Sequence, residues 1–276
     1  MPTYSEIAYA KINLALHVRK RRADGYHELE TLFAFGDVGD KLTAAEANAL
    51  SLNISGRFGG DLSSDDNNLV LRAAHLLRDH FGIRAGATLS LDKNLPVASG
   101  IGGGSADAAA TARLLNRLWN LDASDTELAE LLAPLGADIP ACVASTPAIG
   151  RGTGTELQAI DAIGLTGMPV LLVNPLKPVP TGEVFSIWDG IDRGGLVNSN
   201  VLAAAMEGRN DLQLPAIAIC PEIDNILARL RETNPSLTRM SGSGATCFAL
   251  YETAQARDTA QAAMADHWWT LTGSLR

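Results

Sequence analysis

Cysteine is scarce in this chain: Cys142, Cys220 and Cys247 are the only three in 276 residues. They stand far apart in apolar company, and no pair has metal-ligand spacing. Neither a disulfide framework nor a zinc site is therefore expected, only reduced thiols in a cytoplasmic protein. Positive charge is also short, with 22 Lys and Arg against 31 Asp and Glu and a net charge of −9. Nucleic acids and acidic membranes are bound through clustered positive charge, so neither is an expected partner. No apolar run reaches the length of a membrane span. Glu6 and Lys11 interrupt the first twelve residues, where a secretory leader needs an unbroken apolar stretch. Nor is the composition that of a disordered chain, since 46% of residues are hydrophobic and only 19% charged. The length suits one large domain or two modest ones. Oligomeric state has no signature in the sequence.

What is present mixes strands and helices without strict βαβα alternation, the pattern of an α+β fold. Residues 6–20 and 27–35 read as extended, joined through the turn signal Asp24-Gly25. Arg19, Lys20, Arg21 and Arg22 form a basic run there, either a solvated strand end or the neighbour of an anionic ligand. A Gly-, Asp-, Ser- and Asn-rich stretch over 56–68 reads as loop. Leu69, Ala73, Leu76 and Leu77 then share one helical face, with Asn67 or Asn68 as cap. Ala87, Leu89 and Leu91 mark a short strand, and an alanine-rich helix is expected from Ser105 to Trp119. Ser124 and Glu127 have capping-box spacing, and Leu128, Leu131, Leu132 and Leu135 predict the helix that follows. A second regime begins near residue 160. It holds a buried strand over 169–174, a helix opened by Pro221, and strands near 237–240 and 247–251. Two domains are expected, 1–160 and 161–276.

Between Pro96 and the alanine-rich helix, Gly100, Gly102, Gly103 and Gly104 crowd together ahead of Ser105. Glycines permit backbone angles and close approach that side chains forbid. A helix starting just after them turns unsatisfied N–H groups and its positive end toward the loop, which is the physics of a phosphate site. The Ser105 hydroxyl suits a phosphate oxygen or Mg²⁺. Two familiar phosphate loops do not fit. A Walker loop ends in Gly-Lys-Ser/Thr, and no lysine stands here. A dinucleotide fingerprint fails at Ser105 or at Asp107, depending on the glycine from which it starts. A glycine-rich turn that merely packs closely is the remaining alternative.

The run Pro96-x-x-x-Gly100-Ile-Gly-Gly-Gly-Ser-Ala-Asp-Ala-Ala resembles the central ATP loop of the GHMP kinases. Ala8 to Leu14 resembles the N-terminal motif of that family, and Gly242 to Thr246 its C-terminal glycine loop. The three motifs occur in order over almost the whole chain. The resemblance implies a two-domain α+β fold, an ATP-binding domain followed by a ferredoxin-like one, with the active site in the cleft between them. It also implies ATP-dependent phosphorylation of a small alcohol. The segment Asp24-Gly-Tyr-His-Glu-Leu29 narrows it further, together with Asn68-Leu69, residues 135–140, Thr181 to Phe185 and Asn210-Asp211-Leu212. These are similar to the branch that phosphorylates a cytidine-diphosphate derivative of methylerythritol in the non-mevalonate isoprenoid route. Homoserine- and mevalonate-type kinases are the alternative.

Phosphoryl transfer to an alcohol needs an orienting base, a cation and a backbone cradle. The resemblance assigns the base to Asp138 and the cation to Lys11, which would keep that carboxylate ionised. Read without it, Asp138 is also a candidate helix cap, and Lys11 a salt-bridged lysine of an apolar strand. Pro96, Gly100, Gly102, Gly103, Gly104 and Ser105 would form the ATP loop, with Asn68 and Lys93 on the adenine side. The resemblance further implies that Tyr26 stacks on cytosine, that Phe185 covers the opposite face, and that His27 meets the base edge. Asn13 would hold the methylerythritol end. Without the resemblance, Tyr26 and His27 read as a satisfied core pair. Ala106 stands where many loops of the family have a second serine, which leaves Ser105 as the one hydroxyl for phosphate or metal. No carboxylate is dedicated to Mg²⁺, so the ion is expected chiefly on ATP oxygens, Ser105 and water.

Overall fold

The computed structural model describes residues 3–196 and 200–276. Strands β1 (Thr3–Arg21) and β2 (His27–Ala47) open the chain, joined at Gly25, whose φ of +87° suits glycine. Then come β3 (Ser51–Ser55), α1 (Leu69–His80), β4 (Gly86–Asp92), α2 (Gly103–Trp119), α3 (Asp125–Leu132) and α4 (Ile139–Ala144). After them run β5 (Ala148–Arg151), β6 (Glu156–Ala159), β7 (Pro169–Asn174), α5 (Thr181–Ile187), α6 (Val201–Glu207) and α7 (Gln213–Ile219). Last are α8 (Glu222–Arg231), β8 (Leu237–Met240), β9 (Cys247–Leu250), α9 (Ala254–Ala262) and β10 (Trp269–Ser274). The class is α+β, as expected. Among the described residues no helix is long and apolar enough to cross a membrane.

The contacts divide into two compact units that interleave along the chain. The first takes residues up to 10, 38–97 and 102–145; the second takes 11–37, 98–101 and 146–276. A single cut at residue 160 does not describe this division. Strands β1 and β2 are 19 and 21 residues long and each contributes to both units, which a change of pattern along the sequence cannot register.

In the first unit, β4 pairs antiparallel with the later half of β2 and parallel with β3. Helices α1 and α2 pack together, burying Val70, Ala73, Ala74 and Leu77 from one and Ala108, Ala109, Ala112 and Leu115 from the other. Alanine combines the strongest helix propensity with no side-chain entropy to lose on burial. The Asn68 side chain starts α1 by accepting the Val70 N–H at 2.9 Å. Ser124 likewise starts α3, accepting the Glu127 N–H at 3.2 Å. That helix stops at Leu132 instead of running to Leu135. Pro134 has no N–H to continue the ladder, and residues 133–135 tighten into a 3₁₀ turn.

The second unit holds a four-stranded antiparallel sheet in the order β10-β7-β9-β8. Helix α8 buries Ile223, Ile226, Leu227 and Leu230 on one face, each worth about 1.5–3 kcal/mol. Glu222 and Asp224 in its first turn, with Arg229 and Arg231 in its last, complement the helix dipole. The three cysteines are free and buried, as the sequence led us to expect.

His17 of β1 is held in this unit by two backbone groups. The Gly194 carbonyl can only accept, so Nδ1 carries the proton toward it at 3.1 Å, while Nε2 accepts the Arg209 N–H at 3.1 Å. Burial, then the Arg209 cation, holds the imidazole pKa below its usual 6.5. The unfolded chain therefore takes up this proton first as the pH falls. The stability His17 contributes is whole above about pH 6.5 and is lost as the pH drops from there through the folded value. A His17→Gln variant is expected to show a flatter decline of the thermal midpoint between about pH 7 and 5. Calorimetry of parent and variant across that range is the check, and parallel declines would refute it.

Candidate active site

Helix α2 begins at Gly103, two residues before the expected start at Ser105. Gly102 occupies the cap position with φ +63°, and no side chain caps the helix. Its first turn also lacks an acidic residue. The N–H groups of Gly103, Gly104 and Ser105 thus have no side-chain cap at the positive end of a 17-residue helix, an arrangement suited to an anion. Gly104 is exposed and Ser105 half-buried. A Cβ added to Gly136 would lie 3.8 Å from the Ser105 hydroxyl, so the chain passes beside that hydroxyl two residues before Asp138. Asp138 is half-buried at the start of α4, and its side chain makes no capping bond to that helix. The alternative of a pure N-cap is set aside.

Beneath the loop lies a buried ion cluster. The Lys93 Nζ, in a residue only 2% exposed, donates to Asp40 Oδ2 and Asp107 Oδ2, each at 2.6 Å. Asp40 Oδ1 also accepts the N–H groups of Asn94 at 2.5 Å and Leu95 at 2.8 Å. A Cβ on Gly103 would come within 3.1 Å of Lys93 Nζ, which puts the cluster directly under the first residue of α2. One ammonium serves two carboxylates here. Burial, opposed by Lys93, pushes the Asp107 carboxyl up to about 7, and its Oδ1 has no hydrogen-bond partner. Lys93 therefore supports the loop from below. Asn68 is similarly committed: its Oδ1 caps α1 and its Nδ2 donates to the Ser63 carbonyl at 2.7 Å. Pro96 is buried at the entry to the loop. No sequence spacing links Lys93 to Asp40, 53 residues away.

In the second unit, Lys11 is 3% exposed. Its Nζ donates to Asn13 Oδ1 at 3.0 Å and lies 5.0 Å from the centre of the Phe33 ring. The Asn13 Nδ2 in turn donates to Thr31 Oγ1 at 2.8 Å. Both ends of the Asn13 amide are used in holding Lys11, as residues i and i+2 on one strand face allow. The Asn13 N–H donates to Ser241 Oγ at 3.0 Å, and Ser241 Oγ donates to the Gly100 carbonyl at 2.9 Å. Gly100 has φ +79°, and a Cβ there would meet the carbonyl oxygens of Ser241 at 2.5 Å and Gly244 at 2.7 Å. Only glycine fits. Asn210, quoted in the sequence only as part of a motif, donates to the Met240 and Gly242 carbonyls at 2.8 Å each. It anchors the C-terminal glycine loop, a role that no spacing discloses.

Tyr26 and His27 part company in the structure. Tyr26 is 66% exposed, whereas His27 is buried with its ring 4.9 Å from Phe185 and edge-on to Trp188 at 5.6 Å. They are not a core pair. Trp188 was not anticipated, although it lies three residues beyond Phe185. Burial, then the Arg21 cation, holds the His27 pKa below 6.5. The basic run is largely neutralised: Arg19 pairs with Glu30 and Asp192, and Arg22 with Asp24 and Glu28. Among the described residues no three His, Cys, Asp or Glu side chains converge as a metal site.

Residues 68–146 match the GHMP kinases N terminal domain, and residues 198–268 match the GHMP kinases C terminal domain. The chain is 56% identical over 271 residues to the 4-diphosphocytidyl-2-C-methyl-D-erythritol kinase of Novosphingobium aromaticivorans, covering 98% of this chain and 92% of that one. It is 54% identical to the kinase of the same name from Sphingopyxis alaskensis, covering 99% of each. A crystal structure of 4-(cytidine 5'-diphospho)-2C-methyl-D-erythritol kinase superimposes with a TM-score of 0.84 at 32% identity, over 99% of both chains. Homoserine kinase from Cytophaga hutchinsonii shares the fold, with a TM-score of 0.70 at 17% identity over 100% of this chain and 95% of that one. With both domains matched and close relatives similar from end to end, this chain belongs to the GHMP kinases.

Proposed function

We propose that the chain transfers the γ-phosphate of ATP to the 2-hydroxyl of 4-diphosphocytidyl-2-C-methyl-D-erythritol, a step of the non-mevalonate route to isoprenoid precursors. The observation that carries this is the 56% identity across 98% of the chain to a kinase named for that substrate. The backbone N–H groups of Gly103, Gly104 and Ser105 receive the phosphates at the uncapped start of α2. Pro96, Gly100 and Gly102 shape the loop that precedes them. Asp138 takes the proton of the attacking hydroxyl, and Lys11, fixed by Asn13 and the Phe33 face, supplies the cation that phosphoryl transfer needs. Phe185 and the exposed Tyr26 close on the two faces of cytosine, at about 1–3 kcal/mol per stacked base, while His27 meets the base edge. Mg²⁺ would be held mainly by ATP oxygens, with the Ser105 hydroxyl as its protein ligand, where it would neutralise phosphate charge.

The test is ATP consumption by the purified protein on three candidates: the cytidine-diphosphate compound, homoserine and mevalonate. Turnover on the first alone is expected. Turnover on either of the others instead would keep the fold and remove the assigned substrate.

A further inference from the structure

Of the basic residues at the end of β1, Arg21 is turned toward a ring, while Arg19 and Arg22 meet carboxylates. Its Nε donates to His27 Nε2 at 3.3 Å, and its Nη2 donates to the Ser186 carbonyl at 3.4 Å. It thus bridges His27 to the helix that carries Phe185. A guanidinium has donors and no acceptor, so Nε2 must offer its lone pair. In a neutral imidazole the single proton then sits on Nδ1. No described residue engages Nδ1. Arg21 is the charged group facing the ring from β1; Phe185 and Trp188, which pack against it from α5 and just beyond, do not titrate.

We infer that Arg21 is a positioning residue for base specificity, fixing the His27 tautomer so that the ring presents an Nδ1–H donor to the nucleobase edge. Resting on the assignment of His27 to that edge, it adds a direction to the hydrogen bond. Cytosine carries a bare N3 and O2 as acceptors, whereas uracil carries an N–H at N3. A donor from His27 selects the first. The opposite tautomer would present an acceptor and favour the second. The ring's burial and the neighbouring cation keep it neutral near pH 7, which holds the arrangement in place.

The experiment compares the parent with Arg21→Ala, Arg21→Lys and His27→Ala. It measures kcat and KM on the cytidine-diphosphate substrate and its uridine analogue from about pH 5.5 to 8.5. Long-range ¹H–¹⁵N spectra of the histidine-labelled full chain read the tautomer independently of turnover. The parent is expected to show Nδ1 protonated and Nε2 bare. In Arg21→Ala the tautomers mix, and the cytidine-to-uridine ratio of kcat/KM falls about tenfold, mainly through KM. Arg21→Lys, still a donor, recovers most of that ratio. An Arg21→Ala protein with the parent's tautomer and ratio would overturn the inference while leaving His27 in its role. A His27→Ala protein that keeps the parent ratio would remove the base-edge assignment, and the inference with it.

Discussion

Asp138→Asn is expected to lower kcat by about 10²- to 10⁴-fold, the contribution a positioned general base makes. The substitution keeps the shape of the side chain and removes its capacity to accept a proton. The Asp138 side chain makes no capping bond to α4, so the loss of kcat is not expected to come through the start of that helix. KM for ATP should stay near the parent value, since the proposed phosphate cradle, the uncapped start of α2, belongs to another segment. Lys11→Met is expected to lower kcat comparably. The double variant should then lose little more than either single one, because two groups acting as a unit are not additive. Steady-state kinetics with calorimetry on the same preparations decide the matter. An Asp138→Asn enzyme retaining most of its kcat would deny the carboxylate its role.

Lys93→Met is expected to be the most destabilising single change near the site. It removes the cation shared by Asp40 and Asp107 and leaves two buried carboxylates facing each other, at a cost of about 3–5 kcal/mol. Adding Asp107→Leu removes one of the stranded charges. The double variant should therefore be more stable than Lys93→Met alone. Because Gly103 rests on the Lys93 ammonium, the single variant should also raise KM for ATP in whatever fraction stays folded. Urea unfolding of the three proteins measures the stability order. A single variant as stable as the parent would mean that the cluster is merely tolerated in the fold.

Much of this was legible because local chemistry and global structure agree. The Asn68 and Ser124 caps, the apolar face of α8 and the glycine loop ahead of an alanine-rich helix are each written within a few adjacent residues. The three glycine and lysine motifs identified the family for the same reason. What escaped depends on distance along the chain. Asn68 was assigned both to a cap and to adenine, and only the cap has its partners in view. The pairing of Lys93 with Asp40 and Asp107 was not legible, because these residues have no periodic relation to it. The bond from Lys11 to the Asn13 oxygen joins residues two apart on one strand face, yet the sequence pattern did not single it out. The interleaving of the two compact units was not legible, because a strand of about twenty residues looks uniform in sequence while its ends serve different cores.

The bond from Asn13 to Ser241 joins residues 228 apart, and that from Ser241 to Gly100 joins residues 141 apart. The Lys93–Asp107 pair, by comparison, closes over only 14 residues. Long closures cost little extra free energy, but they take time and, during synthesis, they wait for the later partner to be made. The ion cluster under the phosphate loop has all its members once residue 107 has been made. The strand that carries Lys11 gains its serine anchor only after residue 241 exists. A growing chain therefore acquires the support for its glycine loop long before the serine anchor of the strand that carries Lys11.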